Sequence, residues 1–218
     1  MSSLLDSLPG LVDFSQKSLL LSATAIAFNP TFWNIVARRE YHTKFLTRTF
    51  GGNSQAACYA LAITIFSLGL VRDFLYERAL RHQPSHPALE GTVPTAAGYA
   101  LVALGNILVI SSTWQLGITG TFLGDYFGIL MDSMVTGFPF NITNAPMYYG
   151  STMSFLGTAL IFGKPAGIFL TGVVLLVYLV AIQFENPFTS EIYAKRERAR
   201  AKTGGKKGGK KVEGKKEL

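Results

Sequence analysis

The sequence predicts an all-α membrane protein, a bundle of four to five transmembrane or intramembrane helices with a helical hairpin near the C-terminus. Three observations carry this expectation. Of 218 residues, 49% are hydrophobic and 15% charged, against roughly 25% charged in soluble domains. The charge is also segregated. Eleven of the twenty Lys and Arg and three of the thirteen Asp and Glu fall in residues 195–218, so that segment carries +8 and the rest of the chain −1. Finally, the 19 residues 166–184 include no charged side chain, whereas a core helix of a soluble protein keeps a polar face.

The elements follow in order. The N-terminal MSSLLDSLPGLVDF has no basic lead and carries Asp6 and Asp13, so it does not read as a cleaved signal peptide. The first apolar stretch, 19–37, contains Asn29-Pro30 and is expected to kink there or to lie partly in the interface. The second, 56–71, ends at Arg72-Asp73, and the third, 95–118, holds Gly98, Gly105 and Asn106. A crossing takes about 20 residues at ~1.5 Å each. The second, third and fifth (166–184) stretches meet or approach that length. The fourth, 151–162, reaches only roughly 18 Å.

Gly163-Lys164-Pro165-Ala166-Gly167 breaks the helix between the fourth and fifth stretches. A hairpin there brings residues 144–150 and Glu185 to one membrane face. A single crossing over 151–184 would put them on opposite faces, and glycosylation at the sequon Asn141-Ile142-Thr143 would favour that arrangement.

Several classes are disfavoured. One cysteine, Cys58, gives no disulfide framework. Three dispersed histidines, His42, His82 and His86, predict no metal site. Neither a dinucleotide nor a P-loop motif is present. Residues 195–218 are Gly/Lys-rich, so a disordered, basic, cytosolic tail is expected, drawn to anionic lipid. Residues 1–194 then form the membrane domain. The membrane body argues against nucleic acid as the tail's partner. The terminal Lys215-Lys216-Glu217-Leu218 looks like a dilysine retrieval signal. The expected location is therefore the endoplasmic reticulum membrane, multi-pass, with a mitochondrial membrane as an additional site.

Two segments remain unexplained by anchoring. Residues 119–150 are rich in Gly and aromatics and hold two charges, Asp125 and Asp132. They suit a partly buried interfacial loop that carries function, with Asp132 solvated. FENPFTSEIY, residues 184–193, places Glu185 at the end of the last apolar run, where an anchor would more naturally finish in Lys or Arg. Pro187 is expected to end that helix.

Read together, GTFLGDYFGI, FPFNITNAPMYYGST and FENPFTSEIY resemble the phospholipid N-methyltransferase family, and FNPTFWNIVARREY extends the likeness over most of the chain. NAPMYYG is also similar to the Arg-His-Pro-x-Tyr-x-Gly block of the wider integral-membrane methyltransferases, which include isoprenylcysteine carboxyl methyltransferases. Pro146, Tyr148 and Gly150 match, while Asn144 and Ala145 replace the Arg-His pair. The resemblance implies methyl transfer from S-adenosylmethionine to a phospholipid amine in the bilayer. Phosphatidyl-N-methylethanolamine and phosphatidyl-N,N-dimethylethanolamine are the expected substrates, and phosphatidylcholine the product. Carboxyl methylation of a prenylated protein is the alternative enzyme reading. A non-catalytic scaffold is the third, and it leaves Glu185 and residues 119–150 without a role.

The family's cofactor signature falls on Ala103-Leu104-Gly105, in place of Gly-x-Gly, and on Glu185-Asn186, in place of Glu-Glu. Glu185 is thereby implied as partner of the cofactor's amine, with Asn186 still able to accept a hydrogen bond. Gly105 also has a packing explanation, since small residues let membrane helices approach closely. Tyr148, Tyr149, Phe138 and Phe140 suit cation–π contact with a sulfonium or a quaternary ammonium. Methyl transfer needs a neutral amine, and an amine with a pKa near ~10.4 is mostly protonated at neutral pH. Asp125 and Glu185 are the candidate bases, and Tyr126 and Tyr148 candidate positioning groups. No metal is called for.

Overall fold

The computed structural model describes the backbone of residues 10–209 and the side chains of residues 10–202. Among these, every regular element is helical: α1 (Lys17–Thr43), the short α2 (Phe45–Thr49), α3 (Ser54–Arg81), α4 (Thr92–Thr121), α5 (Pro146–Ile161) and α6 (Pro165–Gly209). Single 3₁₀ turns lie at Pro87–Leu89 and Gly124–Phe127. α1, α3 and α6, and α4 together with the turn that follows it, are long and apolar enough to cross a membrane. Large apolar side chains point outward from all four, among them Leu20, Phe66, Trp114 and Leu176. Such an exterior suits lipid rather than water.

The helices run alternately between two ends. At one end, Gln83 exchanges two hydrogen bonds with the Asp13 backbone, each 2.8 Å, Lys164 Nζ donates to the Gln83 carbonyl, and the His86 amide donates to the Gly163 carbonyl. At the other, Lys44 Nζ donates to the Tyr126 carbonyl and Tyr148 meets Glu185. Residues 148 and 185 can bond only if the chain reverses between them, so α5 and α6 form the expected hairpin. Its turn contains Gly163 at φ +63°, in the left-handed region that glycine tolerates.

α4 and α5 are the most intimate pair. Gly98 packs on Gly157 and Gly105 on Gly150, two antiparallel contacts two helical turns apart. A Cβ on Gly105 would sit 2.4 Å from the Gly150 carbonyl oxygen, and one on Gly98 would sit 2.6 Å from that of Gly157. Small residues here let the backbones touch, the main source of packing energy where lipid already solvates apolar groups. Buried Leu19, Ile26, Tyr76, Leu80, Phe155, Leu170 and Val174 form a core among α1, α3, α5 and α6. A second cluster of Ala37, Cys58, Leu61, Tyr126 and Phe127 seats the 3₁₀ turn 124–127.

Three expectations need correction. α1 is not interrupted at Pro30: it runs through the proline as one helix of 27 residues, long and apolar enough to cross a membrane. Pro30 is buried, and packing on both flanks holds the helix through the missing N–H. Pro187 does not end α6, which continues to Gly209. Beyond the proline the helix is fastened from outside. Phe188 stacks on Tyr126 with ring centroids 5.0 Å apart, and Thr189 Oγ1 donates to Asp125 Oδ2 at 2.8 Å. The segment expected to be disordered from residue 195 begins as part of the same helix, with Lys195 paired to Glu191 one turn back. Residues 210–218, including the dilysine-like end, lie outside the described residues.

Candidate active site

Glu185 lies on the face of α6 turned toward α1 and α5. Its Oε1 accepts from Trp33 Nε1 at 2.8 Å and from Asn34 Nδ2 at 2.7 Å; its Oε2 accepts from Tyr148 Oη at 2.5 Å. A carboxylate offers about four acceptor positions, so these donors leave one open. Among the described residues no Lys or Arg forms an ion pair with Glu185. A half-buried anion without a protein counter-ion is costly, and a bound cation relieves that cost.

Asp125 enters from the 3₁₀ turn Gly124–Phe127. Thr189 Oγ1 and the Tyr126 amide donate to it, at 2.8 and 3.2 Å. Asp125, Tyr148, Glu185 and Asn186 line one cavity of about 1000 Å³, together with Thr189, Ser190 and Tyr193. The loop after the 3₁₀ turn is tied over this end of the cavity. The Met131 amide donates to Tyr193 Oη at 3.3 Å, and the Arg196 guanidinium donates to the carbonyls of Met131 and Asp132. Asp132 itself is exposed.

Other expected residues fall elsewhere. Phe140 lines the cavity, whereas Phe138 and Tyr149 are 46% and 36% exposed and do not. Tyr126 is fully buried against Phe188 rather than in the cavity. Ala103 and Leu104 face outward from α4, and Gly105 is occupied by its contact with Gly150. None of the three lines the cavity, although their neighbours Val102 and Asn106 do. The packing reading of Gly105 is the one this geometry supports.

Trp33, Asn34 and Thr189 are site residues that sequence reasoning did not single out. The first two lie within FNPTFWNIVARREY, and a bond across 152 positions has no signature in that block. Thr189 was visible only as a neighbour of Glu185.

Residues 93–196, the segment that holds Asp125, Tyr148 and Glu185, match the phospholipid methyltransferase family model. The chain is 78% identical over 194 residues to a phosphatidyl-N-methylethanolamine N-methyltransferase of Neurospora crassa, covering 89% of this chain and 91% of that one. It is 56% identical to a protein of the same name from Saccharomyces cerevisiae, over 87% of this chain and 91% of that one. It is 46% identical to the human phosphatidylethanolamine N-methyltransferase, over 84% and 92%. No solved structure is a significant match. Identity this high over nearly the whole length, with the matched segment supplying most of the cavity lining, places the chain in the phospholipid methyltransferase family, as an all-α membrane enzyme.

Proposed function

We propose that this enzyme transfers methyl groups from S-adenosylmethionine to phosphatidyl-N-methylethanolamine and phosphatidyl-N,N-dimethylethanolamine, yielding phosphatidylcholine. The observation that carries this is Glu185, an anion held by three neutral donors in a lipid-facing bundle, with acceptor capacity left for a cation. The names of the similar fungal proteins support the choice of acceptor lipid.

The lining fits a sulfonium methyl donor. Glu185 would hold its ammonium, Asn186 offers a neutral hydrogen-bond partner beside it, and Tyr148 and Phe140 supply ring faces for a positive charge. Bound there, the donor supplies an electrophilic methyl group. Asp125 is the group we assign to the amine proton. Its carboxylate has two donors rather than three and so keeps more basic capacity than Glu185. Tyr148 positions Glu185 through their bond. Most of the rate gain then rests on alignment of the reacting atoms. The tail end of the bundle, which carries Arg38, Arg39, Lys44 and Arg48 besides residues 195–202, faces the cytosol on this reading, in the endoplasmic reticulum membrane.

The test is direct. Membranes containing the full chain are incubated with methyl-labelled S-adenosylmethionine and phosphatidyl-N-methylethanolamine, and the lipids are resolved. Label in phosphatidylcholine is expected. Its absence, or label in protein methyl ester instead, overturns the proposal.

A further inference from the structure

The cavity extends well past Glu185, to a part bounded by α3. There its lining includes Arg72, Asp73, Glu77, Phe155 and Tyr178. Arg72 is the only Lys or Arg among the described residues that line the cavity, against four carboxylates, Asp73, Glu77, Asp125 and Glu185. Its side chain is 13% exposed, on a helix that crosses the membrane. An arginine so placed is expensive and marks function.

The guanidinium is held rigidly. Its Nε and Nη2 reach Asp73 Oδ1 at 2.9 and 2.8 Å, its Nη1 donates to Tyr178 Oη at 2.6 Å, and it lies 4.9 Å from the Phe155 ring centre. Of five N–H groups, three are used. The remaining two, one on each terminal nitrogen of the guanidinium fork, can donate to oxygens of an anion. Asp73 does not close the site, because its own side chain is 56% exposed.

A phospholipid acceptor brings a phosphodiester anion, joined to its amine by a two-carbon arm. In a cavity whose other charged lining residues are carboxylates, the phosphate has one place to go and the amine several. Tyr178 links the two regions. Its hydroxyl shares a hydrogen bond with Ser151, its ring packs edge-on against Tyr148 at 4.8 Å, and Tyr148 reaches Glu185. Tyr178 and Glu185 lie seven residues apart on α6, roughly 10 Å along the helix. We propose that Arg72, held by Tyr178, binds the phosphodiester of the acceptor lipid and thereby sets the reach of its amine toward the Asp125–Glu185 end. This rests on the reading that the cavity receives the phospholipid.

The other anion in the reaction is the carboxylate of the methyl donor, and the test separates the two. The full-length protein in mixed micelles is assayed against varied phosphatidyl-N-methylethanolamine at saturating S-adenosylmethionine, and donor binding is measured apart by equilibrium dialysis. Arg72→Gln is expected to raise the lipid KM about tenfold or more, with donor Kd within about twofold of the unaltered protein. Arg72→Lys, which keeps the charge and loses the fork, falls between them.

A lipid KM within about twofold of the unaltered protein overturns the proposal. So does a donor Kd weakened about tenfold with lipid KM unchanged, which would assign the fork to the donor's carboxylate. Should Arg72→Gln fail to insert, Tyr178→Phe decides the matter. It keeps the charge and removes the anchor, so the expected lipid KM rises about threefold, and no rise overturns the proposal. If the cavity is not the reaction site at all, Glu185→Gln is as silent as Arg72→Gln. If only the phosphate assignment fails, Arg72→Gln alone is silent.

Discussion

The Tyr148 hydroxyl donates to Glu185 Oε2 at 2.5 Å across 37 positions of sequence, and this bond fixes both the direction of the α5–α6 hairpin and the geometry of the acid. Glu185→Gln keeps the shape of the side chain and removes its charge. Hydrogen bonds to charged groups are worth about 1.5–3 kcal/mol, so methyl transfer should fall by at least about tenfold while the protein still inserts. Near-normal turnover in labelled-donor assays would remove Glu185 from the site. Tyr148→Phe should cost less, because Trp33 and Asn34 still hold the other oxygen.

Asn34→Ala and Trp33→Phe each remove one donor from Oε1. Each should weaken donor binding by about three- to tenfold, in line with the loss of one hydrogen bond. Equilibrium dialysis with labelled S-adenosylmethionine checks this. Unchanged binding in both variants would mean that the α1 contacts shape the fold alone.

Gly105→Ala brings a Cβ within 2.4 Å of a backbone oxygen on α5. The helices must part, and thermal unfolding in detergent should occur at lower temperature, by an amount matching about 1–3 kcal/mol. Leu104→Ala, on the outward face, should leave both stability and donor affinity nearly unchanged. A large loss of affinity in Leu104→Ala with stability intact would restore residues 103–105 to the cofactor site.

Arg196→Ala frees the carbonyls of Met131 and Asp132. Hydrogen exchange in residues 128–135 should speed up, and the donor KM should rise about two- to fivefold as the loop over the cavity loosens. Protection equal to that of the unaltered protein would show that Tyr193 suffices to hold the loop.

Glu40 is fully buried and accepts from the Leu46 amide at 2.7 Å and from the Thr47 hydroxyl. It fastens α2 to the end of α1. Glu40→Ala strands those donors and should cost about 2 kcal/mol of stability, read as a lower unfolding temperature. Glu40→Gln should recover part of that loss.

Much of this was legible in the chain itself. The charge-free run 166–184 and the low overall charge determined an all-α membrane bundle, and the Gly/Pro break at 163–167 pointed to a terminal hairpin that the Tyr148–Glu185 bond decided, because apolar length and helix breakers act locally. Asp125 and Glu185 stood out as carboxylates where lipid or a plain anchor has no use for them, and the family resemblance pointed to Tyr148. Tertiary structure decided the rest. Pro30 read as a kink and Pro187 as a helix end, yet both sit inside continuous helices, because neighbouring side chains hold the segments that each missing N–H would release. Gly105 read as either a cofactor contact or a packing residue, and its contact with Gly150 favours packing, because approach between two backbones depends on a partner helix 45 residues away. Trp33 and Asn34 were silent for the same reason: a donor's worth to Glu185 depends on a packing of α1 against α6 that no local pattern encodes.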